Sequence, residues 1–160
     1  MRKVFLLTGF NNWGKTRLIC DLFGKGRFVK HLPHTYANKD FCVIPQSNDD
    51  LGEQGYISSY KSRVYEAKKS WGNPNYILSA FCPSKEPSND SLRIISSIYS
   101  SDDVYILPIV YKWCGHAKLM IPDINRYFSA HKNIQVHPIT SKSIGVKKLA
   151  ELQKVLGPLL

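Results

Sequence analysis

The chain has 160 residues, 43% apolar and 21% charged, and a formal net charge of +10. This balance excludes a wholly disordered chain. The apolar runs, such as VFLL and YILPIVY, are too short for a transmembrane helix, which needs roughly 20 residues. The basic-then-apolar start, MRKVFLLTGF, has no small-residue cleavage site, so a cytoplasmic protein with no membrane partner is expected.

The first six residues after Arg2, 3–8 (KVFLLT), are branched and aromatic on both faces and predict a buried strand with parallel neighbours on each side. Residues 15–23 place Leu18, Ile19, Leu22 and Phe23 on one helical face, with Gly24 as a stop. The stretch 24–40 carries Gly24, Gly26, Pro33, His31 and His34 and predicts a loop. A second strand follows at 41–45 (FCVIP). A helix is expected over 54–70 from Tyr56, Ile57, Tyr60, Val64 and Ala67 at three- and four-residue spacing. Residues 75–81 predict a third strand, and Ser88, Asn89 and Asp90 supply N-cap types for a helix carrying Leu92, Ile95, Ile98 and Tyr99. A fourth strand spans 103–111, with Pro108 marking a bulge or its end. Pro122 and Asp123 open a helix with Ile124, Tyr127 and Phe128. Residues 134–139 form a fifth strand, and 145–156 a last helix with Val146, Leu149, Leu152 and Leu156, closed by Gly157 and Pro158. Such alternation implies one α/β domain over residues 1–160, with about five mainly parallel strands flanked by helices. Cys20, Cys42, Cys82 and Cys114 include no C-x-x-C spacing and read as reduced core cysteines.

Charge is unevenly spread. Residues 1–30 hold seven Lys and Arg against one Asp, whereas 31–60 hold one Lys against three Asp and one Glu. A basic chain draws polyanions: nucleotides, nucleic acid or acidic partners. No RGG tract, basic run of five or zinc-finger spacing singles out nucleic acid.

Residues 9–16 read GFNNWGKT, the pattern G-x-x-x-x-G-K-[ST], between a buried strand and an amphipathic helix. In this context the chain resembles the P-loop NTPase superfamily. Backbone N–H groups at a helix N-terminus favour a phosphate. The resemblance implies that Gly9, Asn11, Asn12, Trp13, Gly14, Lys15, Thr16 and Arg17 bind a nucleotide, ATP or GTP. Lys15 would reach the β- and γ-phosphates, and the Thr16 hydroxyl would ligate Mg²⁺. Gly9 is expected to turn the chain off the strand, and Gly14 to let the backbone approach the phosphate. Asn11 and Asn12 tolerate left-handed angles, and Trp13 is expected to pack beside the loop rather than stack on a base.

A carboxylate is needed for Mg²⁺ or for the attacking nucleophile. The third strand ends without one, and Asp102 and Asp103 precede the fourth strand, at the wrong end. The acidic segment 48–56 is the remaining candidate. Asp49-Asp50-Leu51-Gly52 resembles the D-x-x-G of Ras-like small GTPases, with Gln54 one place beyond that family's water-orienting Gln. It also resembles the Asp-Asp element after the second strand of uridine-kinase-like enzymes. A third reading makes it a cap for the next helix, with Asp at the N-cap. Catalytic candidates are therefore Lys15, Asp49, Asp50 and Gln54, and metal candidates Thr16 and Asp49.

Residues 139–143 (ITSKS), with Ser141 and Lys142, resemble the S-A-K loop that packs beside the base in small GTPases. The N-K-x-D position holds Tyr111-Lys112-Trp113-Cys114, without the guanine-reading carboxylate; Asp123 is the alternative source of one. Ser79, Cys82 and Tyr111 fall near strand ends where ligands gather. Arg63 and Arg93 are candidate phosphate contacts or surface ion pairs, and His31 and His34 a loop pair lacking further metal ligands. The expected function is a Mg²⁺-dependent nucleoside triphosphatase, hydrolysing slowly as a switch or to drive a protein partner. Alternatives are a small P-loop kinase and a non-catalytic nucleotide- or nucleic-acid-binding adaptor.

Overall fold

A computed structural model describes residues 1–112, 121–129, 131–143 and 145–160. Its core is a sheet in the order β2-β3-β4-β1-β7-β8. The strands are β1 (Lys3–Thr8), β2 (His34–Tyr36), β3 (Lys39–Ile44), β4 (Tyr76–Phe81), β7 (Asp103–Pro108) and β8 (Ile134–Val136). A separate small hairpin pairs β5 (Lys85–Glu86) with β6 (Asn89–Asp90). The helices are α1 (Lys15–Phe23), α2 (Asn48–Ser70), α3 (Ser91–Ile98), α4 (Ile121–Phe128) and α5 (Val146–Leu156).

β1 lies inside the sheet as its two-faced apolar run requires, with β4 and β7 parallel on either side. Alternate residues feed two cores. Phe5, Leu7, Val43, Leu78 and Leu107 face α1 and α5. Val4, Leu6, Ile44, Ile77 and Ile106 face α2, α3 and α4. Full burial of each such side chain is worth about 1.5–3 kcal/mol, so β1 alone anchors both layers.

The sheet departs from the expected five strands. Residues 34–36, read as loop, form β2, the one antiparallel member, paired with β3. The connecting turn has Ala37 and Asn38 both at positive φ, 49° and 58°. Such mirror-image turns are signalled in sequence by Gly, which is missing here. Pro108 ends β7, and an isolated bridge between Ile109 and Ile139 continues the pairing beyond it. In α5 Val146 is 82% exposed, while Leu152 and Leu156 are buried. Among the described residues, no helix is long and apolar enough to cross a membrane.

α2 starts six residues earlier than its apolar spacing indicates. Ser47 caps it: the hydroxyl accepts from Asp50 N–H, and the Asp50 carboxylate accepts from Ser47 N–H at 3.1 Å. Within the first turns Gly52 sits at φ 71°, ψ 170°, breaking the helix. That backbone region is essentially reserved for glycine. A Cβ at Gly52 would meet nothing within 4 Å, so a substitution costs backbone strain alone. Gly52→Ala is expected to lower unfolding free energy by about 1–3 kcal/mol, read as a lower urea midpoint at unchanged slope.

The strand order also positions a crevice. From β1 the chain passes through α1 toward β3 on one side; from β4 it passes through α3 to β7 on the other. Between β1 and β4 the connections diverge, and ligands in open α/β sheets gather beyond the carboxyl ends of strands at such a point.

Candidate functional site

The 9–16 loop leaves β1 at that crevice. Thr8 is fully buried, and Gly9 N–H still donates to Phe81 O at the end of β4. Gly9 directly follows the last residue of β1 and has no left-handed φ. An added Cβ there would stand 3.1 Å from Trp13 Cβ, so a larger residue would press on the packed Trp13 side chain. Trp13 packs as expected, 7% exposed, with Phe10 edge-on at 5.9 Å. Asn12 (φ 59°) and Gly14 (φ 83°) take left-handed angles. Nothing lies within 4 Å of a Cβ on Gly14, so its backbone angle rather than a close approach calls for glycine in this structure. Asn11 is exposed on the rim.

Gly14 caps α1 without any side-chain hydrogen bond. The N–H groups of residues 14–17 have no acceptor among the described residues. Lys15 folds back beneath them, 6% exposed, donating from Nζ to Gly9 O and Phe10 O at 2.7 Å each. Burial lowers its pKa, and the charges of Asp50 and Asp49 pull it back up. Thr16 Oγ1 donates to Pro45 O at 2.8 Å, linking the loop to the chain that leads into that turn. Arg17 points outward, 84% exposed, with Nε 3.4 Å from Asp21.

The two aspartates differ. Asp50 is engaged in the capping box, so the helix-cap reading holds for it, although the N-cap is Ser47 rather than an Asp. Asp49 is exposed and has no hydrogen bond or ion pair recorded among the described residues. Gln54, beyond the Gly52 break, is also exposed. Glu53 is buried and held by a bidentate contact with Arg93, which draws its carboxyl below the usual range. Arg93 is thus an ion-pair residue, the second of the two roles expected of it.

Asn48 is the residue sequence reasoning missed. It is fully buried. Its Oδ1 accepts from Cys82 N–H at 2.7 Å, and its Nδ2 donates to Cys82 O at 3.1 Å and to Ser84 Oγ at 2.9 Å. Asn89 Nδ2 donates in turn to Asn48 O. The acidic turn is thereby fixed to the end of β4. Cys82 is 3% exposed there, and burial pushes its thiol up to about 11. It stands protonated where a carboxylate was sought. Ser79 lies inside β4 rather than at its end, bonded to Tyr56 at 2.6 Å.

Beside the loop opens a cavity of about 610 Å³, lined by Asn12, Trp13, Gly14, Leu18, Lys112 and Lys148 among others. This volume suits a small-molecule ligand of nucleoside size. Lys148 is buried, its pKa lowered by that burial, and donates to Tyr111 O at 2.9 Å. Ser141 and Lys142 are not among the lining residues. Ser141 N–H is taken by Glu151 at 2.7 Å, and Lys142 Nζ lies 5.3 Å from the Tyr111 ring centre. Trp113 and Cys114 fall outside the described residues. Asp123, the alternative base reader, is 67% exposed and 3.7 Å from Arg126, and is not in the lining. His34 is buried with Nε2 3.1 Å from Val29 O, whereas His31 is exposed.

No protein-family model and no solved structure matches the chain. Among curated proteins it is similar to a protein disulfide-isomerase A6 homolog of Caenorhabditis elegans, 30% identical over 63 residues. The similarity spans 39% of this chain and 13% of that protein.

Proposed function

We propose that the chain binds a nucleoside triphosphate with Mg²⁺ through a P-loop at residues 9–16 and transfers the γ-phosphoryl group, slowly and to water, as a switch or to drive a partner. The observation that carries this reading is the arrangement at α1: N–H groups of residues 14–17 without an acceptor among the described residues, above a buried Lys15, at the carboxyl end of a central parallel strand. In that arrangement the N–H groups would donate to phosphate oxygens at the positive end of the helix dipole. Lys15 exchanges two loop carbonyls for phosphate oxygens, which bear more charge and make stronger bonds. The base would occupy the adjoining cavity, over Trp13 and Leu18.

The residues fit Mg²⁺. Among the described residues, no group of three His, Cys, Asp or Glu side chains is placed to hold a metal by itself. Mg²⁺ bound with phosphates needs only one or two protein oxygens. The Thr16 hydroxyl, bonded to Pro45 O, and the unengaged Asp49 carboxylate are hard oxygen donors on adjoining segments. Mg²⁺ bound there would neutralise phosphate charge. Asp49, rather than the capping Asp50, would serve the metal or take a proton from the nucleophile.

A second reading, phosphotransfer to a hydroxyl acceptor, is favoured by one observation. The acidic turn follows β3, the second parallel strand along the chain, and β4 separates that strand from β1. This is the place of the Asp-Asp element in the uridine-kinase-like layout. Disulfide exchange, suggested by the name of the nematode relative, lacks the C-x-x-C pair that such chemistry uses.

Asp49→Asn is expected to reduce turnover at least tenfold while changing triphosphate affinity less than threefold, because a transition-state role touches kcat before binding. Asp50→Asn is expected to lower stability and leave turnover closer to the parent. Phosphate-release kinetics and calorimetry separate the two effects. Parent turnover in Asp49→Asn would leave only the binding-protein reading.

A further inference from the structure

We infer that the cleft between residues 24–33 and α2 is a second anion site, built for the phosphate group of a small molecule and independent of the 9–16 loop. The cleft has a volume of about 550 Å³, and its lining includes Arg27, Lys30, His31, Ser62, Arg63 and Glu66. It shares no lining residue with the cavity beside the 9–16 loop. The 24–33 segment begins at the far end of α1, nine residues or about 13 Å of helix from that loop.

The walls are held in place. Phe28 is 6% exposed, its ring packed edge-on against Phe23 at 5.6 Å and His34 at 5.0 Å. Arg63 donates to Phe28 O at 3.1 Å, and His34 Nε2 bonds Val29 O at 3.1 Å. Lys30 Nζ donates to Ser62 Oγ at 2.8 Å, spanning the cleft. With the backbone of residues 28 and 29 pinned inward, the cations flanking it line a fixed concave wall.

Charge is unbalanced within these walls. Arg27, Lys30 and Arg63 face one carboxylate, Glu66, with His31 alongside. Arg63 is half-buried, its Nε is buried without an acceptor, and no carboxylate lies within 4 Å of it among the described residues. A desolvated guanidinium is ordinarily paired, because burying charge alone is costly. With Nη1 of Arg63 held by Phe28 O and Nε buried, a tetrahedral dianion would be met by Nη2 of Arg63 together with the exposed heads of Arg27 and Lys30. Glu66 disfavours a second negative group, which points to a single phosphate on a compact bearer. The inference stands whether or not residues 9–16 bind a triphosphate.

The test is a titration of the full chain with inorganic phosphate, followed by the Arg Nε–H and backbone amide signals in ¹H–¹⁵N spectra. The expected result is a saturable shift of Arg63 Nε–H and of the amides of residues 27–31. Lys15→Ala should change this dissociation constant less than twofold. Arg63→Met should weaken binding at least tenfold, and Arg27→Ala severalfold. Arg27 is exposed and makes no hydrogen bond among the described residues, so its variant decides the matter if Arg63→Met unsettles the loop. Phosphate shifts confined to the 9–16 loop, or parent affinity in Arg27→Ala, would overturn the site. A single-stranded oligonucleotide that binds there more tightly than phosphate, with a steep salt dependence, would instead assign the cleft to nucleic acid and overturn the small-molecule bearer.

Discussion

Lys15→Ala is expected to weaken ATP or GTP binding at least a hundredfold while the protein stays folded. The ammonium is 6% exposed and already desolvated, so its contact with a phosphate forms without the full cost of stripping water from a surface lysine. A charge-assisted bond lost from such a place is worth roughly 3 kcal/mol, and each 1.4 kcal/mol is a factor of ten. Phe10 is 45% exposed, so water replaces the donor at its carbonyl, whereas the buried Gly9 O is left unpaired at a cost of about 1–3 kcal/mol, and the fold is expected to survive with a lowered midpoint. Calorimetry gives the affinity, and circular dichroism with thermal melting gives the fold. Equal affinity in variant and parent would place phosphate binding elsewhere.

Asn48→Ala is expected to be the most destabilising single change in the site region, costing about 3–4 kcal/mol. Its side chain satisfies both backbone groups of buried Cys82 and bonds Ser84, so truncation strands a donor and an acceptor away from water. Each stranded group costs roughly 1–3 kcal/mol, less whatever water recovers by entering the gap. Asn48→Asp is the sharper comparison. It keeps the acceptor for Cys82 N–H but removes the donor and buries a charge, so it is expected to be at least as damaging. Urea denaturation reads both. A loss below about 1 kcal/mol in Asn48→Ala would mean that the β4 end is held by its strand neighbours alone.

The fold was legible wherever one-dimensional pattern matches three-dimensional burial. β1, with apolar residues on both faces, announces a central parallel strand, and Leu18, Ile19 and Leu22 announce the buried face of α1. β2 escaped notice because His34, Thr35 and Tyr36 form a three-residue edge strand, too short for alternation to register. The early start of α2 was hidden by Gly52, since the apolar spacing begins only after the break. Within the candidate site, GFNNWGKT was conspicuous because its spacing is fixed by backbone geometry. Asn48 was not, because its role depends on Cys82, 34 residues away, and no local pattern links them. The same holds for Glu53, whose partner Arg93 is 40 residues on. The cationic cleft was half visible as a basic N-terminal stretch; its other wall, Ser62 and Arg63, comes from a helix that sequence charge alone does not bring near.

The Gly52 break divides α2 into pieces that answer to different masters. The turn ahead of it is bolted by Asn48 to the end of β4, whereas the shaft behind it is bolted by Glu53 to α3. Gly52 lets one chain serve both anchors, since its backbone angle aims the two pieces along different lines. The anchors are not separate, however: Asn48 O also accepts from Asn89 Nδ2, beside the Asp90 cap of α3, and Tyr56 on the shaft bonds Ser79 inside β4. The acidic turn is thus braced against the sheet and the foot of α3 together, and a displacement of α3 would be carried through Asn89 to the carboxylates.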